Sequence, residues 1–138
     1  MTQEEKDLII KDLCARLPYG VQMNHIADNE VSPVTLLGID EDYIILKGKG
    51  GYSYVTVEHY KPYLFPLSSM TEEQKKEFHG DVSILNAFID GSISLYENEE
   101  LTPEDIIEIF DFLNRNHFDY RGLIEKGLAL DATGLNIY

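Results

Sequence analysis

The chain has 138 residues, a length that suits one domain, and its apolar content of 43% is enough to bury a continuous core. Its 25 acidic and 11 basic residues give a net charge of −14, which argues against direct binding of nucleic acid or of an anionic membrane. One cysteine excludes an internal disulfide, and the sequence shows neither a signal-peptide pattern nor an apolar span of about 20 residues. We therefore expect a cytoplasmic protein.

The N-terminal residues predict a helix. Thr2 and Glu5 fit a capping box, apolar residues then recur at helical spacing, and Pro18 ends the pattern, so we predict a helix over 3–16. The predicted buried stripe contains Leu8, Ile9, Leu13, Cys14 and Leu17. We interpret Cys14 as a small buried hydrophobic residue and not as a nucleophile, since no electropositive neighbour is evident.

Four segments between residues 21 and 58 have the alternation or the β-branched content of strands. Polar or glycine-rich turns separate them at 28–30, 40–42 and 47–51. The sequence thus predicts an α+β fold in which an N-terminal helix precedes an antiparallel meander of about four strands and C-terminal helices follow. A bent sheet and a partial SH3-like or Sm-like barrel both fit this pattern.

The stretch 61–74 joins the β-rich half, 1–60, to the mainly helical half, 75–138, and we place all of 1–138 in a single domain. Pro62 and Pro66 require extended backbone before them. Thr71 and Gln74 fit a second capping box, which predicts a helix from Glu72 that ends near a left-handed cap at Gly80.

The second half contains one further strong helix signal. Thr102 and Pro103 are typical of a helix start, and the predicted helix ends near Arg115. Its buried stripe is predicted to hold Ile106, Ile107, Ile109, Phe110 and Leu113. Weaker patterns indicate two helical turns over 82–89, a short strand over 92–96 and a short helix over 120–126 before an irregular docked end.

No motif for catalysis, cofactor binding or metal binding is recognisable. The glycine-rich turn 47–51 lacks the spacing of a phosphate-binding loop, and Ser68 lacks the context of a nucleophilic serine. The four histidines lie on separate segments, and we interpret each as a surface or locally hydrogen-bonded residue. We therefore assign no catalytic, cofactor-binding or metal-binding residue, and a small enzyme with an active site outside known motifs remains an alternative.

Two features suit a partner-binding surface. The stretch 97–111 holds seven acidic residues and no Lys or Arg, and tyrosines are concentrated in the strands. The candidate partner-binding residues are Glu97, Glu99, Glu100, Glu104, Glu108, Asp111, Tyr52 and Tyr54. A solvated helix face also explains the acids, and sheet packing also explains the tyrosines.

Three segments read KDLCARLPYG at 11–20, KPYLFPLSSMTEEQ at 61–74 and NHFDYRGLI at 116–124. Together they resemble an uncharacterised family of short acidic proteins from Bacteroides-type gut bacteria and their phages. The resemblance implies an intracellular accessory protein associated with a phage or with mobile DNA, and it assigns no catalytic residue.

The favoured function is a non-enzymatic, intracellular protein-interaction module with a basic protein as partner and no cofactor. One alternative is an acidic mimic of nucleic acid, or a docking partner, for a basic nucleic-acid-handling protein. The oligomeric state stays open.

Overall fold

The structure is a computed structural model that describes residues 1–92 and 101–138. Helix α1 spans Gln3–Arg16, as predicted. The Thr2 hydroxyl accepts the Glu5 N–H at 3.1 Å, and the Glu5 carboxylate accepts the Thr2 N–H at 2.9 Å, so the capping box is present. A 3₁₀ turn, Leu17–Tyr19, follows, and Gly20, at a φ of 73°, leads the chain into the sheet.

Four consecutive strands form the predicted antiparallel meander. They are β1 (Gln22–His25), β2 (Val34–Asp40), β3 (Tyr43–Gly48) and β4 (Gly51–Thr56), and each pairs with the next. The α+β class is therefore confirmed, with this meander as one part of the sheet.

The sheet is larger than the meander and is mixed. A 3₁₀ turn, Val57–His59, leads into β5 (Tyr60–Pro66), which pairs antiparallel with β1. Two short strands, β6 (Phe118–Asp119) and β7 (Leu130–Asp131), pair parallel with β5. Within the described residues the sheet thus has seven strands in the order β4-β3-β2-β1-β5-β6, with β7 also on β5, so the expected antiparallel sheet of about four strands is corrected to a larger, mixed sheet.

Pro62 lies inside this sheet without losing a ladder hydrogen bond. Ile26 N donates to His59 O at 2.9 Å, which fixes the hydrogen-bonding phase between β1 and β5 and points the nitrogen of Pro62 away from β1. Along the opposite edge of β5, pairing with β7 begins only at Tyr63. The proline, which has no N–H group, therefore interrupts no hydrogen bond between these strands. The extended backbone that the prolines impose therefore becomes a central strand and not a linker.

In the described part of the chain, three helices follow β5 after a 3₁₀ turn at Leu67–Ser69. They are α2 (Glu72–Lys76), α3 (Val82–Ile89) and α4 (Pro103–Arg115). The predicted capping boxes at Thr71 and Thr102 are both present. The strand predicted over 92–96 falls almost wholly outside the described residues.

Two hydrophobic clusters hold the fold together. The first lies between α1 and the sheet and contains Ile9, Leu13, Val21, Met23, Leu36, Ile44, Leu46, Val57, Leu64, Leu123, Leu128 and Ala129. The second packs the later helices on β6 and contains Met70, Phe78, Leu85, Ile109, Phe112, Leu113 and Phe118. The segment around β5 and β6 lies between both clusters.

Two residues that we predicted to be buried are exposed. Cys14 lies at the surface, because the buried side of α1 consists of Ile9, Asp12, Leu13 and Arg16 and includes a polar pair. Ile107 is 57% exposed, and Phe112 takes a core position on α4 instead. In both helices, the spacing of the apolar residues predicted a buried face that is rotated around the helix axis from the observed one.

Gly80 does not form the predicted left-handed cap. Helix α2 ends at Lys76, and Gly80 lies directly against the ring of Phe78, where a Cβ atom would stand 2.7 Å from Cζ. The glycine is therefore explained by close packing on an aromatic ring and not by a positive φ.

Residues 120–126 form turns and not the predicted helix. The buried carboxylate of Asp119 accepts the N–H groups of Arg121, Leu123 and Ile124 at 3.2, 3.0 and 2.9 Å. A side chain that captures these donors competes with helical hydrogen bonding, so the chain wraps around Asp119.

Candidate protein-interaction surface

The β3–β4 hairpin forms one end of the sheet. Gly48 and Gly51 pair across a turn made of Lys49 and Gly50, and Gly51 has a φ of 109°. Only glycine adopts such a φ without strain, so the glycine-rich turn 47–51 serves hairpin geometry, as predicted.

Side chains alternate across this hairpin. Ile44 and Leu46 are buried toward α1, whereas the intervening residues of β3 and their partners on β4 face outward. We define the tyrosine face as Tyr43, Ile45, Lys47, Tyr52 and Tyr54. Opposite Ile45 in β2 lies Gly38, whose missing side chain leaves room for Ile45 Cδ1.

The rings of the tyrosine face are exposed but ordered by contacts. Tyr52 is 72% exposed and Tyr54 is 56% exposed. Tyr43 and Tyr54 stack with ring centroids 4.8 Å apart and planes 3° from parallel, and Lys47 Nζ lies 5.8 Å from the centroid of Tyr52. The face therefore offers flat, partly immobilised aromatic surface.

Asp40 adds an acidic group at one end of the tyrosine face. The Tyr54 hydroxyl donates to Asp40 Oδ2 at 2.8 Å, and this hydrogen bond to a carboxylate raises the pKa of the Tyr54 phenol. Glu41 and Asp42 follow in the adjoining turn. A cation bound on the tyrosine rings would therefore lie close to the Asp40 carboxylate.

The candidate acidic residues lie elsewhere. Glu104, Glu108 and Asp111 are exposed on α4, which packs on β6, a strand separated from β4 in the sheet order by β3, β2, β1 and β5. Glu104 and Glu108 line a cavity of about 350 Å³ together with His79. Glu97, Glu99 and Glu100 fall outside the described residues. The structure does not bring the α4 acids together with Tyr52 and Tyr54.

A buried polar cluster was missed from the sequence. Arg16 Nε donates to Asp12 Oδ2 at 2.8 Å, and both side chains are fully buried. Arg121 Nε donates to Asp12 Oδ1 at 3.1 Å, and Arg16 Nη2 donates to the carbonyl oxygen of Phe118 at 2.7 Å. Asp12 and Arg16 at helical spacing inside an otherwise apolar stripe were the available signal.

His117 extends this cluster and corrects our surface interpretation for that histidine. It is 6% exposed, stands at a φ of 63° after α4, and stacks on Tyr138 with ring centroids 3.6 Å apart. Burial, with a contribution from the Arg16 charge, lowers the pKa of His117 to about 4. Burial likewise raises the pKa of Tyr138 to about 12.

The Tyr138 hydroxyl connects two strands. It accepts the N–H of Gln22 at 3.0 Å and donates to the carbonyl oxygen of Tyr63 at 2.8 Å, so it stands in a rung between β1 and β5. Asp12 and Arg16 are both fully buried, so the hydrogen bonds of this cluster lie within the protein core. Among residues 1–92 and 101–138, no group of His, Cys, Asp and Glu is placed to hold a metal ion.

None of the helices in the described part of the chain is long and apolar enough to cross a membrane. Comparisons of the chain with protein-family models, with curated proteins and with solved structures gave no match, so the resemblance of 11–20, 61–74 and 116–124 to a family stays a prediction.

Proposed function

We propose that the protein is a non-enzymatic interaction module that binds a basic protein partner through the tyrosine face. The observation that carries the proposal is the exposure of Tyr52 and Tyr54, at 72% and 56%, side by side on a paired hairpin. Tyrosine is enriched at interfaces because its ring offers large apolar area and its hydroxyl offers a hydrogen bond.

The stacking of Tyr43 on Tyr54 supports the proposal energetically. Rings that are already held in place lose little conformational entropy when a partner covers them, so more of the contact energy remains as affinity. Lys47 Nζ lies 5.8 Å from the ring centroid of Tyr52, a contact of the kind that Lys or Arg of a partner would make with the exposed rings of this face.

The charge of the chain supports a basic partner. A net charge of −14 attracts basic proteins and repels acidic ones at ordinary ionic strength. Asp40, Glu41 and Asp42 place three of the acidic groups beside the tyrosine face itself. Association is therefore expected to weaken with added salt, because exposed charges are screened within about 8–10 Å.

The test compares immobilised wild-type protein with a Tyr52→Ser/Tyr54→Ser variant, using extract of the source organism at low and physiological salt. We expect a basic protein that the wild type retains and the variant loses. An Ile107→Ser variant is the matched control, because Ile107 is an equally exposed apolar residue on α4, at 57%.

Two results would contradict the proposal. One is retention of the same proteins by the wild type and by the double tyrosine variant. The other is loss of binding only in a Glu104→Lys/Glu108→Lys variant, which would assign partner binding to the acidic face of α4 and favour the alternative of an acidic docking partner.

A further inference from the structure

Strand β4 lies at the end of the sheet order, so one of its two backbone edges has no partner strand among the described residues. Val57 N donates to Asp42 O at 2.9 Å, and Gly48 pairs with Gly51 across the turn, which fixes the phase of the β3–β4 ladder. In an antiparallel pair with this phase, the N–H and C=O groups of Tyr52, Tyr54 and Thr56 point away from β3.

Two of these three residues, Tyr52 and Tyr54, also contribute their rings to the tyrosine face. A strand added at this edge would hydrogen-bond to Tyr52 and Tyr54 and would place every second side chain on the tyrosine face. Its intervening side chains would point to the opposite side of the sheet, beside Ser53.

A cleft lies on the side of the sheet opposite the tyrosine face. It has a volume of about 480 Å³ and is lined by the apolar side chains of Val31, Pro33 and Leu46, by polar groups of Ser32 and Ser53, and by the glycine-rich turn with Lys49. The loop between β1 and β2 and the hairpin turn thus enclose a recess of mixed polar and apolar lining next to the open edge. Small uncharged side chains of an added strand, such as Val or Thr, suit such a lining.

We propose that β4 binds an extended peptide segment of a partner by β-strand addition, with Lys or Arg on the tyrosine face alternating with small uncharged residues in the cleft. This inference rests on the proposed function and specifies its partner and its mode of binding. In this mode, main-chain hydrogen bonds supply affinity and pockets for alternate side chains supply specificity.

Charge decides between a partner peptide and a second copy of this chain. Pairing β4 with another β4 would bring together two chains of net charge −14, whereas a peptide with Lys or Arg at alternate positions brings opposite charge to Asp40. The exposed rings add cation–π attraction, which favours Arg in particular.

The experiment measures binding of a fluorescent peptide, Arg-Val-Arg-Val-Arg-Val, to the full chain by anisotropy. Its control is Arg-Arg-Arg-Val-Val-Val, which has the same composition and charge without the alternation. We expect the alternating peptide to bind at least about ten times more tightly, and to lose about tenfold when its backbone is N-methylated at alternate residues. Equal binding of the two peptides, or no binding of the alternating one, would overturn the inference.

A Thr56→Pro variant separates strand addition from simple contact with the tyrosine face. Thr56 has a φ of −77°, which proline adopts, and its N–H points away from β3, so the substitution removes an outward donor while the β3–β4 ladder stays intact. Thr56→Val keeps the N–H and is the matched control. We expect about tenfold weaker peptide binding for Thr56→Pro and unchanged binding for Thr56→Val.

The outcomes distinguish the two proposals. Binding that survives Thr56→Pro but disappears in Tyr52→Ser/Tyr54→Ser would retain the tyrosine face as the partner site and overturn strand addition. Binding that survives both variants would overturn both. Sedimentation of the chain alone supplies a further test, because a dimer that Thr56→Pro dissociates would show that a second copy occupies β4.

Discussion

Asp12 and Arg16 lie one turn apart on α1 and form a fully buried ion pair, with Arg16 Nε 2.8 Å from Asp12 Oδ2. Arg121 donates to the other carboxylate oxygen, so one acid serves two guanidinium groups from opposite ends of the chain. Removing one partner of a buried pair leaves an uncompensated charge in the core, a large cost compared with the total stability of a small domain.

We predict that Asp12→Ala lowers the free energy of unfolding by about 3–5 kcal/mol, measured by urea denaturation at pH 7. Asp7→Ala is the matched control because Asp7 is an exposed acid on the same helix, and we expect its effect to stay within about 0.5 kcal/mol. Equal effects of the two substitutions would show that the buried pair contributes no more than a surface acid.

Asp119 organises the chain after β6 through three backbone hydrogen bonds. Asp119→Ala leaves those N–H groups unpaired, so we predict a loss of about 2–3 kcal/mol in the free energy of unfolding. Amide hydrogen exchange at Leu123 and Ile124 is expected to accelerate most. In the control Asp131→Ala, which removes an exposed turn contact with Thr133, exchange at Leu123 is expected to stay slow.

Gly80 packs against Phe78, a ring that in turn meets Phe112 edge-on in the second hydrophobic cluster, at a centroid distance of 5.3 Å. Gly80→Ala forces the Phe78 ring to move, and we predict a cost of about 1–3 kcal/mol in thermal or urea unfolding. Gly50→Ala is the control, since nothing lies within 4 Å of the position of its Cβ atom. A stability unchanged by Gly80→Ala would show that the ring relocates freely.

His117 is predicted to make stability depend on pH. Its pKa is about 4 in the folded chain, below the ordinary value of 6.5, so the unfolded chain binds a proton between pH 6.5 and pH 4 that the folded chain does not. The stability of the folded state is therefore full above pH 6.5 and falls as the pH drops, by at most about 1.4 kcal/mol per pH unit for this group.

His117→Asn isolates that dependence, because Asn also tolerates the positive φ at this position. Urea unfolding of both proteins between pH 7 and pH 4 is expected to show a steeper decline for the wild type. Parallel curves would mean that His117 does not titrate differently on folding.

Much of the local structure follows from neighbouring residues in the sequence. The capping boxes at Thr2, Thr71 and Thr102 start their helices, and the β1–β4 meander appears with the predicted turns. Such signals depend on residues a few positions apart, whose hydrogen bonds and alternation form wherever the segment lies.

Tertiary structure alone decided how these elements combine. The stretch 61–74 supplies β5 because β1 and the distant strands β6 and β7 provide hydrogen-bond partners along its two backbone edges. Asp12 accepts a hydrogen bond from Arg121, which lies 109 positions later in the sequence. The residue pattern of α1 contains no signal for that partner. Likewise, the sequence indicated Tyr52 and Tyr54 as candidates, but their exposure depends on the outward face of the β3–β4 hairpin staying uncovered in the fold, and the free backbone groups beside them depend on β4 lying at the end of the sheet order.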